Sequence, residues 1–167
     1  MTSLVVLAFM ACSPEVIVVD GNVIDVTDFK MADQSLDSHP EHRPEVLDCS
    51  PGAFTEELGQ LEIDTGECDY ALIQFSTRFL LPAGTEIEGM VMHSGLFHPD
   101  HAQAHYALSI DGILFEESHP AIPSDTDFFF FQGQVESEVP EGSVVMLHLH
   151  NHGVNTWRFG HLRLARE

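Results

Sequence analysis

The chain has 167 residues, 44% of them hydrophobic, which is enough for one sizeable core. Acidic side chains outnumber basic ones by 27 to 6, and the formal net charge is −21. Such a surface repels phosphate backbones and anionic lipid headgroups, which argues against nucleic acid and acidic membranes as partners. The same charge suits cations, or a surface that is simply well solvated.

The first eleven residues, 1–11, contain no charge and are apolar after Ser3. The run is shorter than the roughly 20 residues that span a bilayer, and it is typical of the hydrophobic region of a secretion signal. With Ala11-Cys12-Ser13 it resembles the lipobox of bacterial lipoproteins. That resemblance implies a lipid on Cys12 and a place in the bacterial cell envelope, with membrane contact through the lipid anchor only. The alternative is a first strand buried in the fold, with Cys12 in the core.

Three cysteines leave Cys49 and Cys68 as a pair once Cys12 carries lipid. In the oxidising environment outside the cytoplasm this pair is expected to form a disulfide. The alternative is two reduced cysteines in a cytosolic protein. The turn sequence Ser50-Pro51-Gly52 beside Cys49 favours the disulfide, because it is not a core stretch.

Residues 12–48 are predicted to form an acidic N-terminal tether. Its first part, 16–26, fits a short hairpin around Asp20-Gly21-Asn22. Residues 27–48 have no sustained apolar period and contain two prolines, as expected of a tether or of a loop lying on the surface. Residues 49–167 then form the folded domain.

From residue 49 onward the pattern is that of β-strands separated by Pro- and Gly-containing turns. Two-residue alternation marks strands at 71–79, 87–93, 106–115 and 157–166, and 127–139 adds an apolar one. No long helical period is present, although 55–61 fits one helical turn. The prediction is an all-β fold, an antiparallel β-sandwich or jelly roll.

Two local signals refine this prediction. Asp111-Gly112 is a two-residue hairpin turn, which would put Leu108 opposite Phe115 on an apolar face. Gly160 is expected to be a bulge, because the parity of the apolar residues changes there.

The candidate ligand residues lie on a predicted strand at 144–150. Leu147 and Leu149 share one face, whereas His148 and His150 share the other, with His152 following in phase. Two imidazoles on one strand face can hold one metal ion, Zn(II) or Cu(II), and His93 is expected to join them from a neighbouring strand. The alternative is a set of solvent-facing hydrogen-bonding histidines.

The His-x-His pair also resembles the C-terminal jelly-roll domain of the copper type II, ascorbate-dependent monooxygenases. That family holds one copper with a His-x-His pair and a methionine, here His148 and His150 with one of Met90, Met92 or Met146. The resemblance implies a copper-binding domain, not a complete enzyme, since those enzymes use a second copper domain.

No nucleophile elbow, phosphate loop or dinucleotide fingerprint is present. A binding module is therefore favoured over an enzyme, with a metal ion as ligand or a small molecule stacked on Trp157. The remaining alternative is a structural or interaction domain of the cell surface with no site.

Overall fold

The computed structural model describes residues 21–47 and 49–166. Twelve strands, and no α-helix, are found in this part of the chain. They are β1 (Lys30–Met31), β2 (Phe54–Glu57), β3 (Gln60–Asp64), β4 (Tyr70–Ser76), β5 (Glu86–His93), β6 (Ala102–Gln103), β7 (His105–Ile110), β8 (Ile113–Ser118), β9 (Ala121–Ile122), β10 (Asp127–Gln134), β11 (Val144–His150) and β12 (Thr156–Leu164).

The strands form two five-stranded antiparallel sheets and one small two-stranded ribbon. The first sheet has the order β1-β4-β11-β7-β8, the second has the order β10-β5-β12-β3-β2, and β6 pairs with β9. This confirms the predicted all-β antiparallel sandwich. None of the described residues forms a helix long and apolar enough to cross a membrane.

The core lies between the sheets and follows the alternation read from the sequence. Phe75 and Leu147 are buried from the first sheet, and Phe159 packs on Phe75 from the second with ring centroids 5.5 Å apart. Burying a side chain of this size stabilises the fold by roughly 1.5–3 kcal/mol. The opposite, outer face of the first sheet carries His105 and His148.

Two hairpins show where the sequence prediction holds and where it is wrong. The turn at Asp111-Gly112 is confirmed, with φ of 51° and 79° in the left-handed region. The predicted pairing of Leu108 with Phe115 is wrong, because a bulge after Leu108 places Glu116 opposite it. The helical turn expected at 55–61 is also wrong: β2 and β3 form a hairpin there, closed by two left-handed turn residues.

The bulge predicted at Gly160 is confirmed, since the register between β12 and β5 shifts between Phe159 and His161. A Cβ at position 160 would collide with the Met90 side chain, so the bulge brings the backbone close to its neighbour.

Residues 33–43, the covering segment, cross the outer face of the first sheet. The chain enters this path through β1, which pairs with β4 at the edge of the sheet. Two short 3-10 turns follow, Gln34–Leu36 and Pro40–His42, and the Asp33 side chain accepts the Ser35 amide hydrogen at 2.8 Å. This part of the predicted tether therefore lies on the domain.

Several predictions fall on residues outside the described part of the chain. These are the signal segment, the lipidation of Cys12 and the first half of the hairpin at 16–26. The described end of that hairpin runs beside β12, where Asn22 bridges to Arg163.

The predicted disulfide is present between Cys49 and Cys68, which are 19 residues apart in the sequence. It ties the start of the sandwich to the turn before β4. In the chain-entropy model, closing a loop of this size stabilises the fold by roughly 3 kcal/mol.

Candidate metal centre

Three imidazoles meet between the covering segment and the outer face of the first sheet. His42 comes from the second 3-10 turn, His105 from the start of β7 and His148 from the middle of β11. Nδ1 of His42 lies 3.3 Å from Nε2 of His148 and 2.9 Å from Nδ1 of His105. His105 and His148 are each only 2% exposed, so they are not the solvent-facing hydrogen-bonding groups of the alternative interpretation.

A carboxylate orients each of the two strand histidines. Nδ1 of His148 donates to Asp37, 3.0 Å from Oδ2, and Nε2 of His105 donates to Oε1 of Glu117 at 2.8 Å. In both rings the proton is thereby fixed on the nitrogen that faces the carboxylate. The other nitrogen, which faces His42, keeps its lone pair, in the arrangement that carboxylates impose on metal-binding histidines.

Asp37 is itself held firmly. Tyr70 donates its hydroxyl hydrogen to Oδ2 at 2.6 Å, and the backbone amide of His39 donates to Oδ1 at 3.0 Å. Burial raises the pKa of Asp37, but the hydrogen bonds from Tyr70 and His39 and the neighbouring His148 outweigh it, so the net pKa is lowered and the group is ionised. The same burial, with Asp37 adjacent, raises the pKa of Tyr70, which keeps its proton.

The three converging nitrogens have too few hydrogens to bond one another. His105 and His148 both offer lone pairs, and a neutral His42 carries at most one hydrogen on Nδ1. At most one of the two short nitrogen–nitrogen contacts can then be a hydrogen bond. A cation placed among the three would accept all three lone pairs.

Burial keeps the two strand histidines neutral. It lowers the pKa of His148 to about 3, against the opposing pull of Asp37, and lowers the pKa of His105 to about 4, against that of Glu117. Neutral imidazole is the form that binds a metal. In a tetrahedral Zn(II) site with bonds of about 2.0–2.1 Å, ligand nitrogens lie about 3.3 Å apart, close to the distances seen here.

A fourth imidazole borders the same point. The His39 ring lies 4.5 Å from the His105 ring and 4.9 Å from the His148 ring, between centroids. Its Nε2 is buried with no hydrogen-bond partner in the described part of the chain. His39 also offers a ligand atom within 4.8 Å of those of His105 and Glu117. His39 therefore borders the centre, but its ligand atoms group with those of His105 and Glu117 and not with those of His42 and His148.

Of the four histidines predicted above to bind a metal, only His148 lies among the converging nitrogens. The ring of His150 stacks on that of His42 with centroids 4.7 Å apart, and His152 contacts His150 at the same separation. Neither belongs to the groups of ligand atoms close enough to share one ion. His148 therefore belongs to the centre, because the covering segment passes over it, whereas His150 lies beside the centre.

His93 and Trp157 do not fit the roles expected of them. His93 ends β5 in the second sheet, is 1% exposed, and packs against Trp157 with its Nδ1 2.7 Å from the Ser94 carbonyl oxygen. Trp157 is also 1% exposed, between the sheets, and presents no face to a ligand. Both side chains belong to the core, because the two-residue alternation of β5 and β12 turns these positions inward. Met90 and Met92 likewise lie on β5, away from the sheet of His148.

Sequence reasoning missed His42, His39 and Asp37 as site residues. All three belong to the acidic stretch interpreted as a tether, in which no periodicity is present to predict packing. One signal was available: His39-Pro40-Glu41-His42 places two imidazoles three residues apart in a stretch otherwise rich in acidic residues.

No family model matches the chain, and no curated protein matches it. Among solved structures, a family 4 carbohydrate-binding module is 10% identical, with a TM-score of 0.44 over 68% of this chain and 88% of that one. A mutant family 29 module is also 10% identical, with a TM-score of 0.42 over 72% and 82%. A family 61 module in complex with β-1,4-galactotriose is 12% identical, with a TM-score of 0.39 over 86% and 91%. Likenesses this distant carry no information about a ligand here.

Proposed function

We propose that this protein is an exported metal-binding β-sandwich, whose function is to hold one Zn(II) or Cu(II) ion. The observation that carries the proposal is the convergence of His42, His105 and His148 with no more than one hydrogen among three facing nitrogens. Imidazole nitrogen is a preferred ligand of both metals.

The supporting groups match the chemistry of such a site. Asp37 and Glu117 fix the tautomers of His148 and His105, and the ring of His119 stacks on that of His105 with centroids 4.2 Å apart. We assign the fourth position to His39, whose ring borders the centre and whose side chain would turn toward the ion to supply its buried Nε2. Four nitrogen ligands, with no position left for water, would make the centre one for binding and not for hydrolysis.

A location outside the cytoplasm is consistent with the same proposal. The Cys49–Cys68 disulfide is of the kind that persists in oxidising compartments. With lipid on Cys12, the domain would be held at the cell envelope. A net charge of −21 would draw cations toward it.

The decisive test is elemental analysis of untagged protein, followed by titration of the metal-free form with Zn(II) and Cu(II). We expect one ion per chain. The His105→Gln and His148→Gln variants should lose tight binding, whereas His161→Gln, on the second sheet, should retain it. Equal uptake by all four proteins, or no uptake by the wild type, would refute the proposal.

A further inference from the structure

A file of imidazoles leads from the surface to the candidate centre. The His42 ring stacks on His150, His150 contacts His152, and His152 faces His98, with ring centroids 4.7, 4.7 and 6.0 Å apart. His98, His150 and His152 are all partly exposed. His42, at the inner end, is one of the three converging ligands of the centre.

The spacing of the rings suits the passage of one ion. Two imidazoles that share a tetrahedral ion through bonds of about 2.0 Å have centroids roughly 5 Å apart. The two inner steps, at 4.7 Å, are close to that value, and the outer step is 6.0 Å. The His42 and His150 rings are stacked, so one of them turns about its side-chain bonds when both bind the ion. Among the described residues no partner is found for the ring nitrogens of His150 or His152, so their lone pairs are available.

Buried hydrogen bonds hold the outer end of the file in place. Asn155, only 4% exposed, accepts the Phe97 amide hydrogen at 2.9 Å and donates to the His152 carbonyl oxygen at 3.0 Å. One buried side chain therefore joins the loop that carries His98 to the loop that carries His152. Gly153 has φ of +88°, and a Cβ there would collide with the Phe97 carbonyl oxygen, so glycine allows the two loops to meet.

We propose that His98, His152 and His150 form the route by which a Zn(II) or Cu(II) ion reaches the centre of His42, His105 and His148. This inference rests on the metal site proposed above. The ion is captured at His98 and His152, then passes to the His152–His150 pair and on to His150 and His42. At each step one imidazole lone pair replaces another on the ion, so no electron moves and no bond within the protein breaks.

Electrostatics favours capture at this end. Asp100 lies two residues from His98, and its backbone carbonyl oxygen lies 3.2 Å from Nδ1 of that ring. The tautomer in which Nδ1 donates to this oxygen keeps the Nε2 lone pair for an ion. The negative charge of Asp69, in the turn before β4, favours a positive charge at His150. The acidic surface raises the local concentration of divalent cations, and the file gives them imidazole ligands.

The test compares uptake rates with uptake at equilibrium. Metal-free protein is mixed with Zn(II) in a stopped-flow instrument with a chromophoric chelator, for the wild type, His98→Gln/His152→Gln and the control His101→Gln/His161→Gln. We expect the first variant to take up its ion at least tenfold more slowly, to the same final stoichiometry and affinity. The control, whose histidines lie outside the file, should match the wild type.

Three outcomes would overturn the route. Equal uptake rates in all three proteins would mean that ions reach the centre another way. A weaker equilibrium affinity in His98→Gln/His152→Gln would make these residues ligands of the bound ion. A wild type that binds no Zn(II) or Cu(II) would remove the centre and the route together, whereas the first two outcomes leave the centre standing.

Discussion

The Asp37 carboxylate accepts the Nδ1 hydrogen of His148 at 3.0 Å, across 111 residues of sequence. This one bond fixes the covering segment on β11 and decides which nitrogen of His148 is left for a ligand. Because Asp37 also accepts from Tyr70 and from the His39 amide, its two oxygens serve three donors. The carboxylate is thus the link between the packing of the segment and the chemistry of the centre.

Replacing Asp37 with Asn is expected to weaken metal binding. Asparagine has one acceptor oxygen where the carboxylate has two, so it cannot satisfy all three donors. His148 then loses its fixed tautomer, and loss of such a supporting group typically lowers affinity 10–100-fold. Competition titration of Zn(II) against a chelator measures the change.

The matched control is Asp33→Asn, which removes a carboxylate from the same segment. Asp33 is exposed, and its hydrogen bonds are with Ser35, within the same turn. Its substitution should leave the affinity within a factor of two. If Asp37→Asn and Asp33→Asn bind Zn(II) equally well, the orienting role of Asp37 is wrong.

The sequence predicted the sheets well because their pattern is local. Alternation placed Leu147 and Leu149 inward and His148 outward, and the change of apolar parity at Gly160 predicted the bulge there. It could not predict what covers the outer face, since residues 33–43 reach it through individual hydrogen bonds and not through an apolar stripe. His42 and His105 meet across 63 residues, and nothing in a strand pattern encodes that contact.

Metal-free protein should lose stability as the pH falls from about 6.5 toward 4. Burial lowers the pKa of His105 and of His150 to about 4, and that of His148 to about 3, in the folded state. In this pH window the histidines bind protons in the unfolded chain and stay neutral in the folded chain, so a lower pH favours unfolding. The groups facing these rings are Asp37, Tyr70, His39, His42, Glu117, His119, Asp69 and His152.

Thermal unfolding at a series of pH values, with chelator present, measures this loss. His150→Gln should reduce the slope of Tm against pH, because it removes one of the histidines whose pKa is lowered in the folded state. His101→Gln, in an exposed loop, should not change it. A Tm that stays constant between pH 6.5 and 4.5 would contradict the prediction.

Removing the disulfide is expected to cost about 2–5 kcal/mol of unfolding free energy. The bond joins Cys49 to Cys68, which is buried at the turn before β4, so its loss frees the start of the sandwich. Urea unfolding of Cys49→Ala/Cys68→Ala should show a lower midpoint than the oxidised wild type. Reduced wild type serves as the control without substitution, and a midpoint unchanged in both would contradict the expectation.

Cys12 is predicted to carry lipid in the exported protein, because an apolar segment ends at Ala11-Cys12. Expression in a bacterium with labelled palmitate, using a start that supplies basic residues, should label the chain and move it into the detergent phase. Cys12→Ser should abolish both effects and leave the disulfide intact. An unlabelled wild-type product that retains Met1 would refute lipidation.

Metal removal should release the covering segment while the sandwich stays folded. His42 belongs to that segment, whereas His105 and His148 belong to β7 and β11, so a shared ion cross-links the two. An ion at a hundredfold excess over its Kd favours the docked form by about 2.7 kcal/mol. Hydrogen exchange in residues 33–43 should therefore accelerate up to roughly a hundredfold when a chelator is added.

The amides that report this are those of His39, which donates to Asp37, and of His42 and Arg43, which close the second 3-10 turn. Amides of β5 and β12, in the middle of the second sheet, supply the internal reference and should not respond. In His42→Gln the segment should exchange at the chelated rate whether or not Zn(II) is present. If chelation empties the centre and exchange in 33–43 does not change, hydrogen bonds through Asp37 alone hold the segment, and the ion plays no part in docking it.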